Sequence, residues 1–546
     1  MISQVSLRNV RLFDDEARLL RLKRLTVFCG GNSSGKSTIL KIFPLLRQSQ
    51  GIRESSEQES GKLRFKGTQV DLGNYSTLVC DNDTSRHIHL GVRINYKVSS
   101  SLEKFMHFIK EKEPTDFVPT KDKEGDEGVD VELDCSFEFV SESTDEKPNS
   151  TKGIKTSSGK LLKATFAMIA RDEVWLNWSI EKMDGTRDRV DTNPVVAFAE
   201  ESSPPLYKFC LPTYFFEKIG MAKQIVPQKS ERPEETILIS ILKGLLPTAL
   251  VADLKPDPGV ASTQNQHNWQ RWPIPPIIDW QFDLFKTALL NIHYVAPLRS
   301  PGKRYYIADV DVVPGMDPTG EFLPYVLRDK GDTVVLNALP NELEKPKQEP
   351  LKTALSRWLY YLRTGHTEGG DPKQKEFELA ISDVIVDLKL KSPGSSAKKS
   401  LNHSLADSGF GYSQIVPILV RGLLVPSDGT LVVEQPELHL HPALQVRIAD
   451  FFLAMASVGK QIILETHSEH LVNALRVKAA EDSENKIHQM CKIYFLSTDS
   501  DKPQVYDLSV QADGSLTEWP ESFFGEALTL SGRLLRAQIK FKQQKK

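Results

Sequence analysis

The sequence predicts an α/β fold built on a parallel β-sheet that is buried on both faces. Three apolar, β-prone runs carry this prediction, at residues 25–29 (LTVFC), 430–434 (TLVVE) and 462–464 (IIL). Each run is too short for a buried helix, and each ends in glycine or in polar residues. Because the carboxyl ends of parallel strands meet at one edge of a sheet, we expect the residues that follow these strands to form one site.

A glycine-rich loop follows the first run and leads into a segment that reads as a helix. Its sequence, GGNSSGKST at 30–38, matches the phosphate-binding pattern G-x-x-x-x-G-K-[ST] in the strand–loop–helix context that this pattern requires. Glycines let backbone N–H groups turn toward phosphate oxygens, and the helix N-terminus adds partial positive charge. Lys36 is expected to reach the β- and γ-phosphates, and the Ser37 hydroxyl to bind Mg²⁺. The predicted nucleotide-binding residues of this loop are Gly30, Asn32, Ser33, Gly35, Lys36, Ser37 and Thr38.

The second and third runs supply the polar residues that would face this loop. Glu434 ends the second run in the manner of a Walker B strand, whose carboxylate holds Mg²⁺ opposite the loop serine. The third run continues into ETHS, which places His467 near the γ-phosphate. A glycine-punctuated turn, ADSGFGYSQ at 406–414, precedes an apolar helix.

Taken in order, the segments GGNSSGKST, DSGFGYSQ, VVEQPELHLHP and ETHSEHL resemble an ABC-type ATPase head of the RecF/SMC-like branch. They are similar to stand-alone ATPases related to the overcoming-lysogenisation-defect proteins, and among these to the PtuA family of Septu and Septu-like retron anti-phage systems. SLRNVRLF near the N-terminus, HYVAPLRSPGKRYY at 293–306 and GSLTEWPESFFGEAL at 514–528 agree with this resemblance.

The resemblance implies ATP and Mg²⁺ as cofactors and a dimer, or a higher even oligomer, that closes around ATP. In such heads one subunit's phosphate loop and the other's signature turn enclose the nucleotide. Carried over, Ser408, Gly409 or Gly411 would face the partner's γ-phosphate. Glu434 would be the magnesium acid and His467 the switch histidine.

One position departs from the family pattern. The second acidic residue of the family's Asp-Glu pair, its usual general base, is replaced here by Gln435. An amide positions a water molecule but cannot accept its proton, and loss of a general base costs about 10²–10⁴-fold in rate. We therefore expect slow hydrolysis, with Glu437 as a candidate substitute base. The alternative is that Gln435 only positions water while another group catalyses at a normal rate.

Two functions follow from the resemblance. The first is an ATPase that gates or scaffolds a separate nuclease, of the HNH type (PtuB-like), in anti-phage defence; a reverse transcriptase with retron RNA–DNA, or other nucleic acid, is a further possible partner. The second is a RecF-like ATPase of DNA repair that binds DNA ends without a nuclease. A Toprim nuclease is not expected, because Asp499 and Asp501 are isolated. A third reading, a transporter subunit, conflicts with the lack of a membrane span and with the large insertion.

The spacing of the motifs predicts four parts: residues 1–98 (N-lobe of the head), 99–284 (insertion), 285–530 (C-lobe) and 531–546 (basic tail). The insertion shows no sustained heptads, so we expect a compact α/β subdomain with mobile loops at 111–130 and 141–160 and no long coiled coil. Alternating patterns predict strands at 92–96, 129–140 and 174–183, and apolar patterns predict helices at 102–112, 237–246, 279–290 and 351–363.

The composition also predicts the cellular compartment of the protein. Net charge is −3, so any nucleic-acid surface must be local, and the five cysteines form no C-x-x-C pair. No apolar stretch reaches the length of a membrane span or a secretory signal. We expect a cytoplasmic protein with reduced thiols.

Overall fold

The computed structural model describes the chain except for residues 51–60, 100–127, 144–156, 183–205, 219–224, 227–234, 244, 255–268, 304–305, 308–316, 368–376, 382–384, 392–401, 405–409, 485, 499–502, 519, 521–529, 531 and 539–546. The chain forms two compact units. Unit 1 comprises residues 1–22 and 41–293, and unit 2 comprises residues 23–40 and 294–546. Unit 1 includes the first two strands together with most of the predicted insertion.

Unit 1 is organised around a large antiparallel sheet with the strand order β10-β12-β11-β9-β8-β7-β6-β5-β1-β2, to which β13 and β4 add at β12 and β7. Its longest strands carry alternating apolar residues, the pattern of a sheet with one covered face. The strands are β1 (Ile2–Arg8), β2 (Arg18–Arg21), β4 (Lys62–Leu63), β5 (Ile88–Val98), β6 (Val129–Ser143), β7 (Ser157–Ala170), β8 (Glu173–Lys182), β9 (Leu206–Pro212), β10 (Ile225–Val226), β11 (Glu235–Lys243), β12 (Leu246–Leu254) and β13 (Trp269–Trp272).

An aromatic cluster fixes the core of unit 1. Phe166 stacks on Trp178 with ring centroids 4.0 Å apart, and Phe282 meets the Trp178 ring edge-on. Phe282 lies on the longest described helix of this unit, so the cluster attaches that helix to the sheet. The Trp178 indole N–H donates to the side-chain oxygen of the buried Gln281, which satisfies the indole N–H and that oxygen. The described helices lying wholly in this unit are α2 (Tyr75–Leu78), α3 (Thr213–Lys218) and α4 (Pro276–Leu290).

The strand predictions at 92–96, 129–140 and 174–183 are confirmed, and so is the helix at 279–290. The helix predicted at 237–246 is wrong, because the chain there forms β11 and β12, which pair with each other. Ile237, Ile239 and Ile241 are β-branched and alternate in the sequence, a pattern that favours a strand once neighbouring strands are available for pairing. The helix predicted at 102–112 and most of the loops predicted at 111–130 and 141–160 lie outside the described residues.

Unit 2 contains the parallel sheet that the sequence predicted. Its strand order is β14-β21-β22-β3-β23-β24. The pairs β21–β22, β22–β3 and β3–β23 are parallel, and β24 is antiparallel to β23. Each of the three central strands is buried along its whole length. The strands are β3 (Leu25–Gly30), β14 (Ile292–Val295), β21 (Thr430–Glu434), β22 (Gln461–Thr466), β23 (Cys491–Ser497) and β24 (Gln504–Leu508).

Helices and two smaller sheets complete unit 2. Trp358 is fully buried, meets Phe451 edge-on with centroids 5.0 Å apart and donates its indole N–H to Asn337. The helix predicted at 351–363 is confirmed as α6. The helices are α1 (Lys36–Gln50), which continues into unit 1, α5 (Leu323–Lys330), α6 (Leu351–Thr364), α7 (Phe410–Leu424), α8 (Pro442–Ser457), α9 (Glu469–Glu481) and α10 (Lys486–Met490). The smaller sheets contain β15 (Tyr306–Ile307), β16 (Val334–Asn337), β17 (Lys347–Pro350), β18 (Phe377–Ile381), β19 (Ile385–Lys391) and β20 (Asn402–Ser404).

Three further predictions concern the basic tail, membrane spans and the cysteines. Residues 532–538 of the predicted basic tail are helical, with Arg533 and Arg536 exposed, and residues 539–546 lie outside the described part. Among the described residues, no helix combines the length and the apolar character needed to cross a membrane. All five cysteines are buried, and none of them forms a disulfide.

Candidate functional site

The loop between β3 and α1 is held in a curled conformation by residues with positive φ. Gly30, Ser33 and Gly35 have φ angles of 136°, 59° and 97°. A Cβ atom on Gly30 would lie 2.1 Å from the Leu496 carbonyl oxygen of β23, so only glycine fits there. Gly31, Asn32 and Ser33 are exposed at the tip of the loop, where a ligand can approach their backbone. The loop thus forms a concavity at the N-terminus of α1, the arrangement that binds phosphate.

Lys36 begins α1 and folds back over this loop. Its Nζ atom donates to the Gly30 carbonyl at 3.1 Å, to the Gly31 carbonyl and to Ser34 Oγ at 3.2 Å. The side chain is only 2% exposed, and this burial lowers the pKa of the ammonium group. Lys36 therefore occupies, with its own charge, the place where a phosphate would bind.

Ser37, the next residue, is connected to a strand more than 400 positions further along the chain. Its hydroxyl donates to Glu465 Oε1 at 2.8 Å. Glu465 lies on β22, which runs between β3 and β21, and it pairs in register with Phe28 on one side and Glu434 on the other. The acid that directly contacts the loop serine is thus Glu465, which the sequence analysis did not single out.

Glu434 ends β21 as the sequence predicted, and its carboxylate has its own partner. The Tyr294 hydroxyl donates to Glu434 Oε1 at 2.7 Å. Both side chains are buried; burial, reinforced by the negative charge of Glu434, raises the pKa of Tyr294 and keeps the phenol protonated. Tyr294 therefore fixes the orientation of this carboxylate.

Arg299 clamps the backbone at the end of β21. Its Nη2 donates to the Glu434 carbonyl at 2.5 Å and its Nη1 to the Gln435 carbonyl at 3.1 Å. Gln435 has a φ angle of 45°, a conformation that residues other than glycine adopt rarely. Arg299 is 4% exposed, and burial lowers its pKa to about 10. The negative charges of Glu437 and Glu434 oppose this effect of burial and help to keep the Arg299 guanidinium protonated.

Glu437 ties the turn after β21 to the end of β22. Its Oε2 accepts a hydrogen bond from the Thr466 hydroxyl at 2.9 Å, and its Oε1 accepts one from the His467 backbone N–H at 2.6 Å. Burial raises the pKa of Glu437 against these hydrogen bonds and against the Arg299 charge. A raised pKa suits proton transfer, whereas the two fixed donors assign Glu437 a part in holding the turn.

His467 lies next to Lys36 and the phosphate loop. Burial lowers the pKa of its imidazole, the Lys36 ammonium lowers it further, and a hydrogen bond to the Gly30 carbonyl opposes both. The neutral imidazole thus predominates at neutral pH. A neutral histidine can donate one hydrogen bond without adding charge to the site.

The remaining predicted residues have mixed outcomes. Thr38 is buried in the first turn of α1. Ser408 and Gly409 lie outside the described residues. Gly411 is in the first turn of α7, where an added Cβ would lie 3.4 Å from the His439 carbonyl, so this helix starts against the turn that follows β21.

The oxygen donors of the site fit Mg²⁺ bound together with a triphosphate. Magnesium in such sites takes one or two protein oxygens, and phosphates and water complete its octahedron. Ser37, Glu434 and Glu465 supply a hydroxyl and two carboxylates at one edge of the sheet. In the described part of the chain, no three His, Cys, Asp or Glu residues cluster closely enough to hold a metal by themselves.

Sequence reasoning missed Glu465, Tyr294 and Arg299. Glu465 stands directly before Thr466 and His467, so its position after a buried strand was a usable signal. Tyr294 and Arg299 lie within HYVAPLRSPGKRYY, a segment that contributed to the resemblance without a role for either residue. Their roles depend on contacts across about 140 residues of sequence, which spacing alone does not reveal.

Comparison with protein families gives a match over more than half of the chain. A model described as an AAA ATPase domain matches residues 1–176 and 336–472, which include the phosphate loop, β21 and His467. A second model, described as a protein of unknown function (DUF3696), matches residues 488–534. No curated protein sequence matches the chain at a significant level.

Solved structures that match the chain include heads of SMC proteins. An SMC head bound to the C-terminal winged-helix domain of ScpA has 11% identity and a TM-score of 0.35, with 93% of this chain and 98% of that chain covered. The SMC head domain from Thermotoga maritima has 8% identity and a TM-score of 0.32, with 93% and 98% covered. An SMC head with an extended coiled coil, bound to the C-terminal domain of ScpA from Pyrococcus furiosus, has 10% identity and a TM-score of 0.34, with 93% and 96% covered.

Proposed function

From the premise that the chain belongs to the AAA ATPase domain family, we propose that it binds Mg·ATP at the loop between β3 and α1 and hydrolyses it slowly. The observation that carries this proposal is the meeting of Lys36 and Ser37 with the buried acids at the ends of two parallel strands. A lysine that folds over a curled loop, beside a hydroxyl–carboxylate pair, supports nucleotide binding.

ATP would replace the contacts that Lys36 makes with the loop. The ammonium would turn from the Gly30 and Gly31 carbonyls to the β- and γ-phosphates, and the N–H groups of Gly35, Lys36 and Ser37 would donate to phosphate oxygens. Asn32 and Ser33 would cover the nucleotide from the exposed tip, and Thr38 would support the first turn of α1. The Ser37 hydroxyl and the Glu434 carboxylate would hold Mg²⁺. When bound, this ion neutralises charge that develops on the phosphates.

Three residues would act on the attacking water or on the γ-phosphate. The Gln435 amide would orient it, and the His467 imidazole would donate a hydrogen bond to the γ-phosphate. Glu437 is the candidate proton acceptor, although the Thr466 and His467 donors already hold it. Because an amide, Gln435, and not a carboxylate follows Glu434 in sequence, we infer slow turnover and a long-lived ATP-bound state.

We further propose that ATP joins two copies of the chain, in a dimer or a higher even oligomer. The start of α7 carries Gly411, preceded in sequence by Ser408 and Gly409. This helix start would face the γ-phosphate bound to the partner copy. The contact of Gly411 with the His439 turn supports this arrangement, since it places the helix start beside the end of β21.

For the biological role, we propose a RecF/SMC-like ATPase that gates or scaffolds a separate HNH-type nuclease in anti-phage defence, as in Septu and Septu-like retron systems. The sequence segments that resemble the PtuA family support this role. A reverse transcriptase or retron RNA–DNA would then be a further partner, and the cytoplasm its place of action. The second candidate is a RecF-like ATPase that binds DNA ends, which the same sequence segments also favour.

One set of measurements tests the proposal. The purified chain should bind a fluorescent ATP analogue in Mg²⁺, and Lys36→Ala should lose that binding while Lys41→Ala, one turn further along α1, keeps it. Light scattering should show the mass of two copies in ATP and of one copy without it. A nuclease subunit that co-purifies from the native source favours the defence role. ATP-stimulated binding of duplex DNA ends that weakens steeply with salt favours the repair role. No binding of ATP by the wild-type chain would refute the proposal.

A further inference from the structure

We propose that Glu465 is a direct ligand of the magnesium ion that accompanies ATP, an inference that rests on the proposed ATP-binding function. Glu465 Oε1 lies 2.8 Å from Ser37 Oγ, the hydroxyl oxygen that is expected to bind the ion. An ion on that oxygen would meet the Glu465 carboxylate beside it. The hydrogen bond that Ser37 now donates to Glu465 would be replaced by the metal ion, which both oxygens would then bind.

The order of the strands favours Glu465 over Glu434 for direct contact. β22 is the immediate neighbour of β3, the strand that carries the phosphate loop, whereas β21 lies one strand further away. Neighbouring strands are about 5 Å apart, so the backbone at Glu434 is about 10 Å from β3. The two acids are partners in the parallel register, and their side chains therefore leave the sheet on the same face.

The partners of the two acids also differ. Glu434 is held by the Tyr294 hydroxyl, and its backbone carbonyl by Arg299. Glu465 instead faces the phosphate loop, where its carboxylate accepts the hydrogen bond of the Ser37 hydroxyl. Glu465 therefore contacts the loop serine directly, whereas Glu434, held by Tyr294 and Arg299, would act on the ion from one strand further away.

Charge balance gives the physical reason for a metal at this place. Glu465 is 2% exposed, and the buried Lys36 precedes Ser37, the residue that donates to its carboxylate. When Lys36 turns to the phosphates, the carboxylate would face a triphosphate of the same sign in a site with little water. A buried carboxylate in that position is costly unless a cation lies between the two anions. A divalent ion held by Ser37 and Glu465 meets this requirement.

The first test measures metal dependence in binding rather than turnover. The affinity for a fluorescent ATP analogue is titrated with Mg²⁺ and compared with the affinity in EDTA. Glu465→Gln should raise the Mg²⁺ concentration needed for half of the affinity gain by about tenfold or more. Its affinity in EDTA should not fall below that of wild type, because the carboxylate that repels the metal-free triphosphate is gone. Glu469→Gln, four residues further on and partly exposed, is the matched control and should behave as wild type. An unchanged Mg²⁺ requirement in Glu465→Gln would overturn the inference.

The second test separates direct ligation from positioning of Ser37. Glu465→Cys should respond weakly to Mg²⁺ and strongly to Cd²⁺, because thiolates prefer soft metals. The background should be low, since all five native cysteines are buried. If Glu465→Gln loses the Mg²⁺ response but Glu465→Cys gains no Cd²⁺ preference, Glu465 only positions Ser37 and the inference is wrong. Thermal melts without nucleotide establish that each variant folds, and Glu465→Asp replaces any variant that does not.

The two proposals fail in different ways. A wild-type chain that binds no ATP would overturn the proposed function, and this inference with it. Normal ATP binding with the same Mg²⁺ dependence in wild type and Glu465→Gln would overturn the inference alone.

Discussion

The Arg299 guanidinium donates to the main-chain carbonyl of Glu434 at 2.5 Å, and it holds the next carbonyl, that of Gln435, at 3.1 Å. The acid strand and the arginine are 135 residues apart in sequence. Nothing in this contact requires Arg299 to touch the nucleotide. Arg299 is a positioning residue, which keeps Gln435 in its left-handed conformation and aims the end of β21 at the phosphate loop.

Removal of this clamp should affect both stability and turnover. Arg299→Gln leaves two buried carbonyls and two carboxylates without their cation, so we expect the free energy of unfolding to fall by about 3 kcal/mol. Arg299→Lys keeps the positive charge but lacks the planar guanidinium that donates to both carbonyls. Compared with Arg299→Gln, it should therefore recover more of the stability than of the activity. Urea unfolding and phosphate release measure the two effects. Arg328→Gln, a partly exposed control whose partner is Asp329, should change neither by more than a small amount. A wild-type urea midpoint in Arg299→Gln would contradict this role.

The phosphate loop offers a matched pair of glycines. Gly30 has a φ angle of 136°, and an added Cβ would lie 2.1 Å from the backbone oxygen of Leu496. A Cβ on Gly31 would meet nothing within 4 Å. Gly30→Ala should therefore displace β3 from β23 and abolish nucleotide binding, whereas Gly31→Ala should fold and bind within a few-fold of wild type. Circular dichroism melts and titration with the fluorescent ATP analogue check both. Equal behaviour of the two variants would show that the curvature of the loop does not depend on Gly30.

The parallel sheet was predictable because each of its central strands has a recognisable local sequence pattern. The runs at 25–29, 430–434 and 462–464 are short and apolar, and each ends in residues that only a sheet edge brings together. The phosphate loop was predictable for the same reason, since the glycines, the lysine and the serine are consecutive. These features depend on neighbours in sequence, and the structure confirms them.

The parts that were missed depend on distant neighbours. Residues 237–246 have a composition that a helix tolerates, and only pairing of β11 with β9 and β12 makes them a strand. Glu465 gained its importance from Ser37, more than 400 positions away. The membership of β1 in the sheet of unit 1 follows from its pairing with β5, which no local pattern encodes.

A buried lysine outside the site gives a pH-dependent stability. Lys460 Nζ donates to the carbonyls of Gly422 and Leu423 at 3.0 Å and 2.9 Å, in the last turn of α7. Burial lowers the pKa of Lys460 to about 7 from its ordinary value of 10.5. Between these two values the unfolded chain binds a proton that the folded chain does not, so the free energy of unfolding should rise with pH. The slope reaches at most about 1.4 kcal/mol per pH unit, and below pH 7 this contribution is constant and least favourable.

The contribution of Lys460 is isolated by a difference between variants, because other groups titrate in the same range. Urea unfolding at several pH values between 7 and 9.5 is compared for wild type and Lys460→Met. The variant loses two hydrogen bonds to α7 and should be less stable at high pH, but its curve should lack the part of the slope due to Lys460. Lys330→Met removes an exposed lysine and should keep the wild-type slope. Parallel curves for wild type and Lys460→Met would contradict the lowered pKa.

Gln435 is the position where one substitution distinguishes a slow ATPase from an ordinary one. Gln435→Glu keeps the size of the side chain and the Arg299 contact, which is to the backbone, and it adds a proton acceptor beside Glu434. If the amide limits turnover, the single-turnover rate of phosphate release should rise by about 10²-fold. Glu437→Gln should then lower the residual wild-type rate if Glu437 is the substitute base, and leave it unchanged if Glu437 only ties Thr466 and His467 together. Lys36→Ala in the Gln435→Glu background should abolish release, which excludes a contaminating ATPase. No acceleration in Gln435→Glu would mean that another group already accepts the proton at full rate, and the long-lived ATP-bound state would lose its chemical basis.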